Sequence, residues 1–425
     1  MLFSQFVKNC RGGVAPLLAL SIVPLITGVG AAIDYTRASE VRTALQNSLD
    51  AAALMVSKEA PTTTAAQLQT DATTYVSGLL TRPDAKNVAV TATYSSENGS
   101  HVLLTGTATM DTTFMRILGY EQLDLKATSV ASWGNTRLRV ALVLDNTGSM
   151  ASDGKMDALV TASKNLLAQL HSAAVNPEDV YVSIVPFSKD VNLDPANYQQ
   201  PWINWSLWDA ANGTCSDTSR HSQNSCLNHG KIWTPAAHST WNGCVTDRDQ
   251  NFDTTNDAPV AGGTLYPAEQ YDSCSATVMG LSNDWTALSA KIDAMKPAGN
   301  TNQAIGLQVG WQSLTASPFS VPGTDPKYQY QQVIILLTDG LNTEDRWYSN
   351  ASSIDTRESK TCANIKNAGI TLYTVQVNTG GDPKSQLLED CASSQGKFFL
   401  LTSADEIVTT FGQIGTALTN LHLAM

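Results

Sequence analysis

Residues 138–150 read LRVALVLDNTGSM, and this stretch indicates the fold of the chain. Its first half is rich in β-favouring residues and predicts a buried strand. Asp145 ends that strand, and Thr147 and Ser149 follow in a turn that leads into a predicted helix. A carboxylate and two hydroxyls at alternate positions of one turn can converge on a single point. Oxygen ligands of this kind suit Mg²⁺ or Mn²⁺, with Ca²⁺ as a further candidate.

Two later segments supply similar groups. Residues 298–305, AGNTNQAI, place the hydroxyl of Thr301 in a glycine-bearing loop before an apolar helical pattern. Residues 333–340, VIILLTDG, are a continuous apolar run, typical of a strand buried on both faces, that ends in Asp339. Taken singly, an aspartate at a strand end is often a turn residue, and residues 145–149 could be a helix N-cap. The three segments in this order favour a metal site.

These segments resemble the von Willebrand factor A domain and its metal-ion-dependent adhesion site (MIDAS). The family's D-x-S-x-S motif matches Asp145, Thr147 and Ser149, although Thr147 stands where the family usually has serine. Its isolated threonine matches Thr301, and its second aspartate matches Asp339. The resemblance implies that the three hydroxyls ligate a divalent cation directly and that the two carboxylates hold it partly through water. It also implies an open position for an acidic side chain of a partner.

Strand and helix patterns alternate from residue 137 to the end of the chain, which predicts an α/β fold with a doubly wound, mostly parallel sheet. Ligands of such sheets bind beyond the carboxyl ends of the strands, where Asp145 and Asp339 are expected. Residues 188–284 interrupt the alternation and are rich in Asn, Asp, Ser, Gly and Trp. A structureless loop of this length is improbable, so we predict an insertion with some structure of its own.

Six of the seven cysteines follow residue 33, an even number in a region predicted to face an oxidising space. We expect three local disulfides, although six cysteines allow fifteen connectivities. A zinc site is the alternative, but no close C-x-x-C pair supports it. The expected pairs are Cys215 with Cys226, Cys244 with Cys274, and Cys362 with Cys391.

The N-terminal region predicts a membrane anchor. Residues 14–33 carry no charge and are long enough to span a bilayer as a helix. Lys8 and Arg11 precede this span, which places the N-terminus in the cytoplasm and the rest of the chain outside. A cleaved signal peptide is the alternative, because small residues end the span. We favour a retained anchor, since an amphipathic helical pattern continues from Asp34 past Ala53 without a break.

Residues 11–54 also resemble the N-terminal region of TadE/TadG-like proteins of bacterial tight-adherence (Flp) pilus assembly. The matching features are the early anchor, a helix beginning near Asp34 and Tyr35, and the Ala-rich stretch 50–53. We expect three parts: residues 1–60 as a transmembrane helix and helical stem, 61–136 as a small α+β domain, and 137–425 as the A-type domain. The resemblance implies an inner-membrane protein of the envelope whose bulk is periplasmic or surface-facing.

Composition and motifs limit the function. The chain has 425 residues, a formal net charge of -12 and no Lys/Arg-rich run, so nucleic acid is not an expected partner. We expect contact with pilus-assembly or envelope proteins through the metal site. A structural scaffold whose metal only stabilises it is the second hypothesis. A Mg²⁺-dependent phosphoryl-transfer enzyme is a third, but the chain has no phosphate-binding loop and no histidine near the three segments. We therefore do not expect catalysis.

Overall fold

The structure is a computed structural model that describes residues 14–60, 63–95, 100–133, 136–315, 317–326, 328–381 and 383–423. The side chains of residues 14–20, 23, 24, 133 and 420–423 lie outside that description. The chain divides into two compact units, Met1–Asn135 and Thr136–Met425.

The first unit is an α+β layer. Its strands form an antiparallel sheet in the order β1-β2-β3, and β2 alternates buried and more exposed residues as expected of a strand with one covered face. A short 3₁₀ turn, Met115–Leu118, lies between β2 and β3. The other elements are α1 (Val14–Ser57), α2 (Ala65–Leu79), β1 (Lys86–Ser95), β2 (Ser100–Asp111) and β3 (Gln122–Trp133).

Helix α1 supplies much of the core of this unit. Leu45 and Leu49 of α1 are fully buried in one cluster with Leu104 of β2. A Cβ atom on Gly106 would lie 2.9 Å from Cδ1 of Leu49, so glycine allows the helix to lie close to the strand. The helical stem and the small α+β layer, expected as separate parts, thus share one core.

Part of the predicted anchor lies outside the described side chains. Helix α1 continues from residue 14 through the expected boundary at Asp34, as the sequence pattern predicted. None of the helices in the described part of the chain combines the length and the apolar character of a membrane span. Lys8, Cys10 and Arg11 also lie outside the described residues.

The second unit is an α/β fold around a mixed sheet. The sheet has the order β10 (Cys244–Val245), β6 (Val191–Asn192), β5, β4, β13, β14 and β15, with β12 (Met279–Ser282) also paired to β5. Strands β5, β4, β13, β14 and β15 are parallel to one another, which confirms the predicted mostly parallel sheet. The main elements are β4 (Thr136–Asp145), α3 (Lys155–Ala173), β5 (Val180–Phe187), α6 (Trp285–Asp293), α7 (Gln303–Thr315), β13 (Gln329–Thr338), α8 (Ala351–Asn367), β14 (Thr371–Val377), α9 (Gln386–Cys391), β15 (Phe398–Leu401) and α10 (Asp405–Leu423).

Helices cover both faces of this sheet. Leu142 of β4 lies in one buried cluster with Leu159 of α3 and Phe411 of α10. The next residue, Val143, lies in the opposite cluster with Ile365 of α8. Because successive side chains of a strand point to opposite faces, β4 is buried along its whole length. This central position fixes the carboxyl end of β4, where Asp145 lies.

The insertion has short elements of its own. They are β6 (Val191–Asn192), β7 (Ile203–Asn204), α4 (Ser206–Ala211), β8 (Gly213–Cys215), α5 (Gln223–Asn228), β9 (Trp233–Pro235), β10 (Cys244–Val245), β11 (Tyr266–Pro267) and β12 (Met279–Ser282). The three predicted disulfides are all present, joining Cys215 to Cys226, Cys244 to Cys274, and Cys362 to Cys391. The first two hold the insertion, and the third joins α8 to α9.

Two elements differ from the prediction. Strand β12 lies within the predicted insertion but pairs antiparallel with β5, so the insertion contributes to the main sheet. Helix α8 begins at Ala351, although the apolar helical pattern in the sequence covers only residues 360–368. The first turns of α8 bury Arg357 and Glu358. Because these buried positions carry charged residues, the spacing of apolar residues does not predict this part of the helix.

Candidate metal site

The candidate site lies where two neighbouring parallel strands end. Leu144 of β4 is paired with Leu337 of β13, so Asp145 and Asp339 follow at adjacent carboxyl ends. Asp145 is fully buried, and its Oδ1 atom accepts a hydrogen bond from the backbone N–H of Thr147 at 2.8 Å. Its Oδ2 atom accepts one from the hydroxyl of Thr338 at 2.7 Å. The aspartate is therefore held in place from two sides.

A chain of hydroxyls links the two strand ends. The hydroxyls of Thr147 and Ser149 lie 2.9 Å apart, and the Ser149 hydroxyl donates to Oδ1 of Asp339 at 2.6 Å. Thr147 and Ser149 stand two residues apart in the turn after β4, so both side chains reach the same point. The structure thus brings together Asp145, Thr147, Ser149 and Asp339 of the five predicted residues.

Thr301 lies on the loop beside that turn. The N–H of Gly148 donates to the carbonyl of Gly299 at 3.0 Å, which joins the two loops. Gly299 has φ +83°, a conformation that favours glycine. The N–H of Thr301 donates to the Thr343 hydroxyl at 2.8 Å. Within the described residues, the Thr301 side chain makes no hydrogen bond to the other four. Its loop is in place, and direct ligation by its hydroxyl remains a prediction.

The charge at the site is only partly balanced. The ammonium of Lys155 pairs with Oδ2 of Asp339, and both side chains are buried. Burial and the nearby charge of Asp339 raise the pKa of Asp145 to about 6, against the hydrogen bonds from Thr147 and Thr338 that lower it. One ammonium thus faces two carboxylates. This excess of negative charge favours a further cation.

Sequence reasoning missed Lys155 and Thr338. Lys155 is the first residue of α3, where the helix dipole disfavours a cation. A lysine in that position signals a carboxylate partner, and Asp339 is that partner. Thr338 directly precedes Asp339, so its hydroxyl was visible in the sequence, but the contact with Asp145 depends on the pairing of β13 with β4.

The residues present fit a hard divalent cation. Two carboxylates and two hydroxyls converge, and a third hydroxyl lies on the adjoining loop, which is an all-oxygen donor set. Among the described residues, a group formed by Glu358, Cys362 and Cys391 also has metal-ligand types close together. Both of its sulfurs are engaged in a disulfide, so they cannot ligate zinc.

Two family models match the chain. The model described as "Putative Flp pilus-assembly TadE/G-like" matches residues 12–66. The model described as "von Willebrand factor type A domain" matches residues 268–413. The second match contains Thr301 and Asp339 and begins within the insertion, so Asp145, Thr147 and Ser149 precede it. A comparison with curated proteins found no match.

Several solved structures resemble the chain distantly. The vWF domain of the type V pili tip protein Mfa5 from Porphyromonas gingivalis is 12% identical, with 68% of this chain and 97% of that chain covered and a TM-score of 0.39. The pilus adhesin SpaC from Lactobacillus rhamnosus GG is 14% identical, with 80% of this chain and 35% of that chain covered and a TM-score of 0.37. Proximal thread matrix protein 1 from the mussel byssus is 14% identical, with 67% and 46% covered and a TM-score of 0.34. The chain thus spans less than half the length of the last two.

Proposed function

We propose that the protein is a membrane-anchored envelope protein of Flp pilus assembly or anchoring that contacts a partner through a divalent cation. The observation that carries this proposal is the convergence of Asp145, Ser149 and Asp339 at the carboxyl edge of the sheet. The match of residues 12–66 to a pilus-assembly family model supports the pilus context. The match of residues 268–413 to the A-domain model supports a binding role over catalysis.

The mechanism follows from the charges. Thr147, Ser149 and Thr301 would offer neutral oxygens to the cation, and Asp145 and Asp339 would offer the negative charge. Lys155 already offsets part of that charge. A bound divalent cation would therefore leave the site with net positive charge, able to attract a carboxylate from outside. The partner expected on this basis presents an acidic side chain at its contact surface, and Mg²⁺ or Mn²⁺ fits the donor set best.

The proposed location is the inner membrane. Residues 14–33 would form the anchor, the N-terminus would lie in the cytoplasm, and the rest of the chain would be periplasmic or surface-facing. Three disulfides support an oxidising compartment, because such bonds are rare in the cytosol.

A structural scaffold is the second candidate function. The ion pair of Lys155 with Asp339 favours it, since a protein cation already partly balances the site. In that case a metal would raise the unfolding temperature and leave partner contacts unchanged.

Affinity capture from envelope extracts of the source strain separates the two candidates. The tagged full-length protein is purified in Mg²⁺, in EDTA, and as Asp145→Ala, and co-purified pilus-assembly proteins are measured. Asp272→Asn, an exposed carboxylate, is the control. The adhesive proposal expects capture that is lost with EDTA and with Asp145→Ala and retained by the control. Capture that is unchanged by EDTA and by Asp145→Ala would favour the scaffold.

A further inference from the structure

Another carboxylate of the A-type unit, away from the first site, is buried and accepts no hydrogen bond from the described residues. Asp190 lies just after β5 and is fully buried. Neither of its carboxylate oxygens has a hydrogen-bond partner in the described part of the chain. An ionised carboxylate in this state is very costly, because it has lost its water and accepts no hydrogen bond of ordinary geometry in exchange. The surroundings of Asp190 therefore require either a proton or a cation.

Thr246 faces Asp190 across two short strands. Strand β6 pairs antiparallel with β10, with Val191 opposite Val245, so the next position of the register places Asp190 opposite Thr246. The Thr246 hydroxyl is also buried without a hydrogen-bond partner of ordinary geometry. It is nevertheless close enough to lower the pKa of Asp190. A carboxylate and a hydroxyl thus face each other, and neither is satisfied.

The basic side chains nearby are engaged elsewhere. The ammonium of Lys189 pairs with Glu269 and lies 4.7 Å from the ring centroid of Tyr271. Arg357 pairs with Asp253, and Arg346 pairs with Asp249. The charge of Lys189 lowers the pKa of Asp190, but among the described residues its ammonium forms its ion pair with Glu269 and none with Asp190.

Asp247, which is also buried, adds to the negative charge near Asp190. Its Oδ2 atom accepts hydrogen bonds from Asn302 at 2.8 Å and from the N–H of Arg346 at 3.2 Å. Burial and the nearby charge of Asp345 raise its pKa to about 7. Burial and the charges of Glu269 and Asp247 raise the pKa of Asp190 well above its ordinary value.

We infer that Asp190 and Thr246 are ligands of a second cation site, distinct from the one at Asp145, with Asp247 beside it. The expected ion is Ca²⁺. It accepts six to eight oxygens in irregular arrangements, whereas Mg²⁺ demands a near-ideal octahedron that two short loop strands do not offer. Thr246, Lys189 and Glu269 line an open cleft of about 670 Å³, through which a hydrated ion can enter.

The site would join two segments of the insertion where they border the sheet. Asp190 belongs to the turn after β5, and Thr246 belongs to the segment that Cys244 anchors by its disulfide. A cation shared by the two would hold the start of the insertion to its later segment at the edge of the sheet. The nearby Asn302 bonds to Asp247 and follows Thr301, so this cation would lie close to the loop of the first site.

Equilibrium dialysis with radioactive Ca²⁺ tests the inference on the full-length protein. The Asp145→Ala substitution removes the first site, and the variant protein is expected to bind one Ca²⁺ per chain. Asp145→Ala combined with Asp190→Asn is expected to bind none. Glu358→Gln in the Asp145→Ala background is the control, because Glu358 is equally buried but lies on α8, and it is expected to retain one ion.

Two results would overturn the inference. The first is that the Asp145→Ala protein binds no Ca²⁺. The second is that Asp145→Ala binds the same amount of Ca²⁺ whether or not it also carries Asp190→Asn. Thr246→Val, with a loss of affinity of at least about tenfold expected, replaces Asp190→Asn if circular dichroism shows that the asparagine variant does not fold. The two sites fail independently. An absent first site shows as equal Mg²⁺ binding by wild type and Asp145→Ala, whereas the second site is tested only by Ca²⁺ binding to the Asp190 and Thr246 variants.

Discussion

The ammonium of Lys155 contacts one carboxylate oxygen of Asp339, and the hydroxyl of Ser149 donates to the other oxygen. Asp339 is therefore fully engaged by side chains of the turn and helix that follow β4. Lys155 performs part of the charge compensation that a metal would supply. A metal that binds at this site has to share Asp339 with a resident cation, so Lys155 should lower the affinity for metal while stabilising the metal-free protein.

Lys155→Met tests this competition. The metal-free variant is expected to lose about 3–5 kcal/mol of unfolding free energy, because a buried carboxylate loses its partner. Its stabilisation by Mg²⁺ should exceed that of wild type, since the ion no longer competes with an ammonium. Thermal unfolding with and without MgCl₂ measures both effects. Lys164→Met, which breaks the exposed pair with Asp293, is the control, and a Mg²⁺ response equal to wild type in Lys155→Met would refute the competition.

Thr338→Val separates positioning of Asp145 from general stability. The Thr338 hydroxyl donates to Oδ2 of Asp145, and its loss leaves a buried carboxylate oxygen unsatisfied, at about 1–3 kcal/mol. Thr374→Val is a matched control, since its buried hydroxyl donates to the carbonyl of Leu388 away from the site. We expect both variants to be destabilised and only Thr338→Val to change Mg²⁺ affinity in a calorimetric titration. An equal Mg²⁺ affinity in the two variants would argue against a positioning role.

Glu358 should make the stability of the protein depend on pH. It is fully buried, and burial raises its pKa to about 8, with the Asn342 hydrogen bond lowering it and Asp355 raising it further. Since the folded pKa lies above the unfolded one, the stabilisation is complete below about pH 4.5 and is lost as the pH rises to about 8. Within that window, each rise of one pH unit removes up to about 1.4 kcal/mol of unfolding free energy.

Glu358→Gln removes this titration. Urea unfolding at pH 5 and pH 8 should show a smaller difference in unfolding free energy for the variant than for wild type. The exposed Asp272→Asn serves as the control and should keep the wild-type difference. An unchanged pH dependence in Glu358→Gln would show that other groups dominate.

Thiol counting tests the disulfides. The chain has seven cysteines, and six of them are paired, so the denatured protein without reductant should show one reactive thiol, from Cys10. The fully reduced sample provides the control, with seven. More than one thiol in the unreduced protein would contradict the pairing.

Much of the fold was predictable because burial follows periodicity. The strands β4 and β13 are continuous apolar runs that end in aspartate, and the structure places them side by side at the centre of the sheet. The start of α8 was not predictable from apolar periodicity, because Arg357 is buried against Asp253 of the insertion. A charged residue is stable at a buried position only when the fold places a partner beside it. The spacing of residues in the sequence does not predict which residue that partner is.

The candidate site was predictable to a similar extent. Its aspartates and hydroxyls stand at strand ends, where parallel sheets gather ligands. Lys155 and Asp190 were missed for the same physical reason. Their roles depend on which side chains lie opposite them across the fold, namely Asp339 for the lysine and Thr246 for the aspartate.

The most direct test of the central claim is a count of surface pili by electron microscopy. Wild type, a deletion strain and an Asp145→Ala strain are compared, with equal abundance of the variant protein checked by blot. Loss of pili in both altered strains is the predicted result and would tie the ion site to pilus assembly. Normal pili in the Asp145→Ala strain would contradict the proposed role of the site, and normal pili in the deletion strain as well would contradict the pilus assignment.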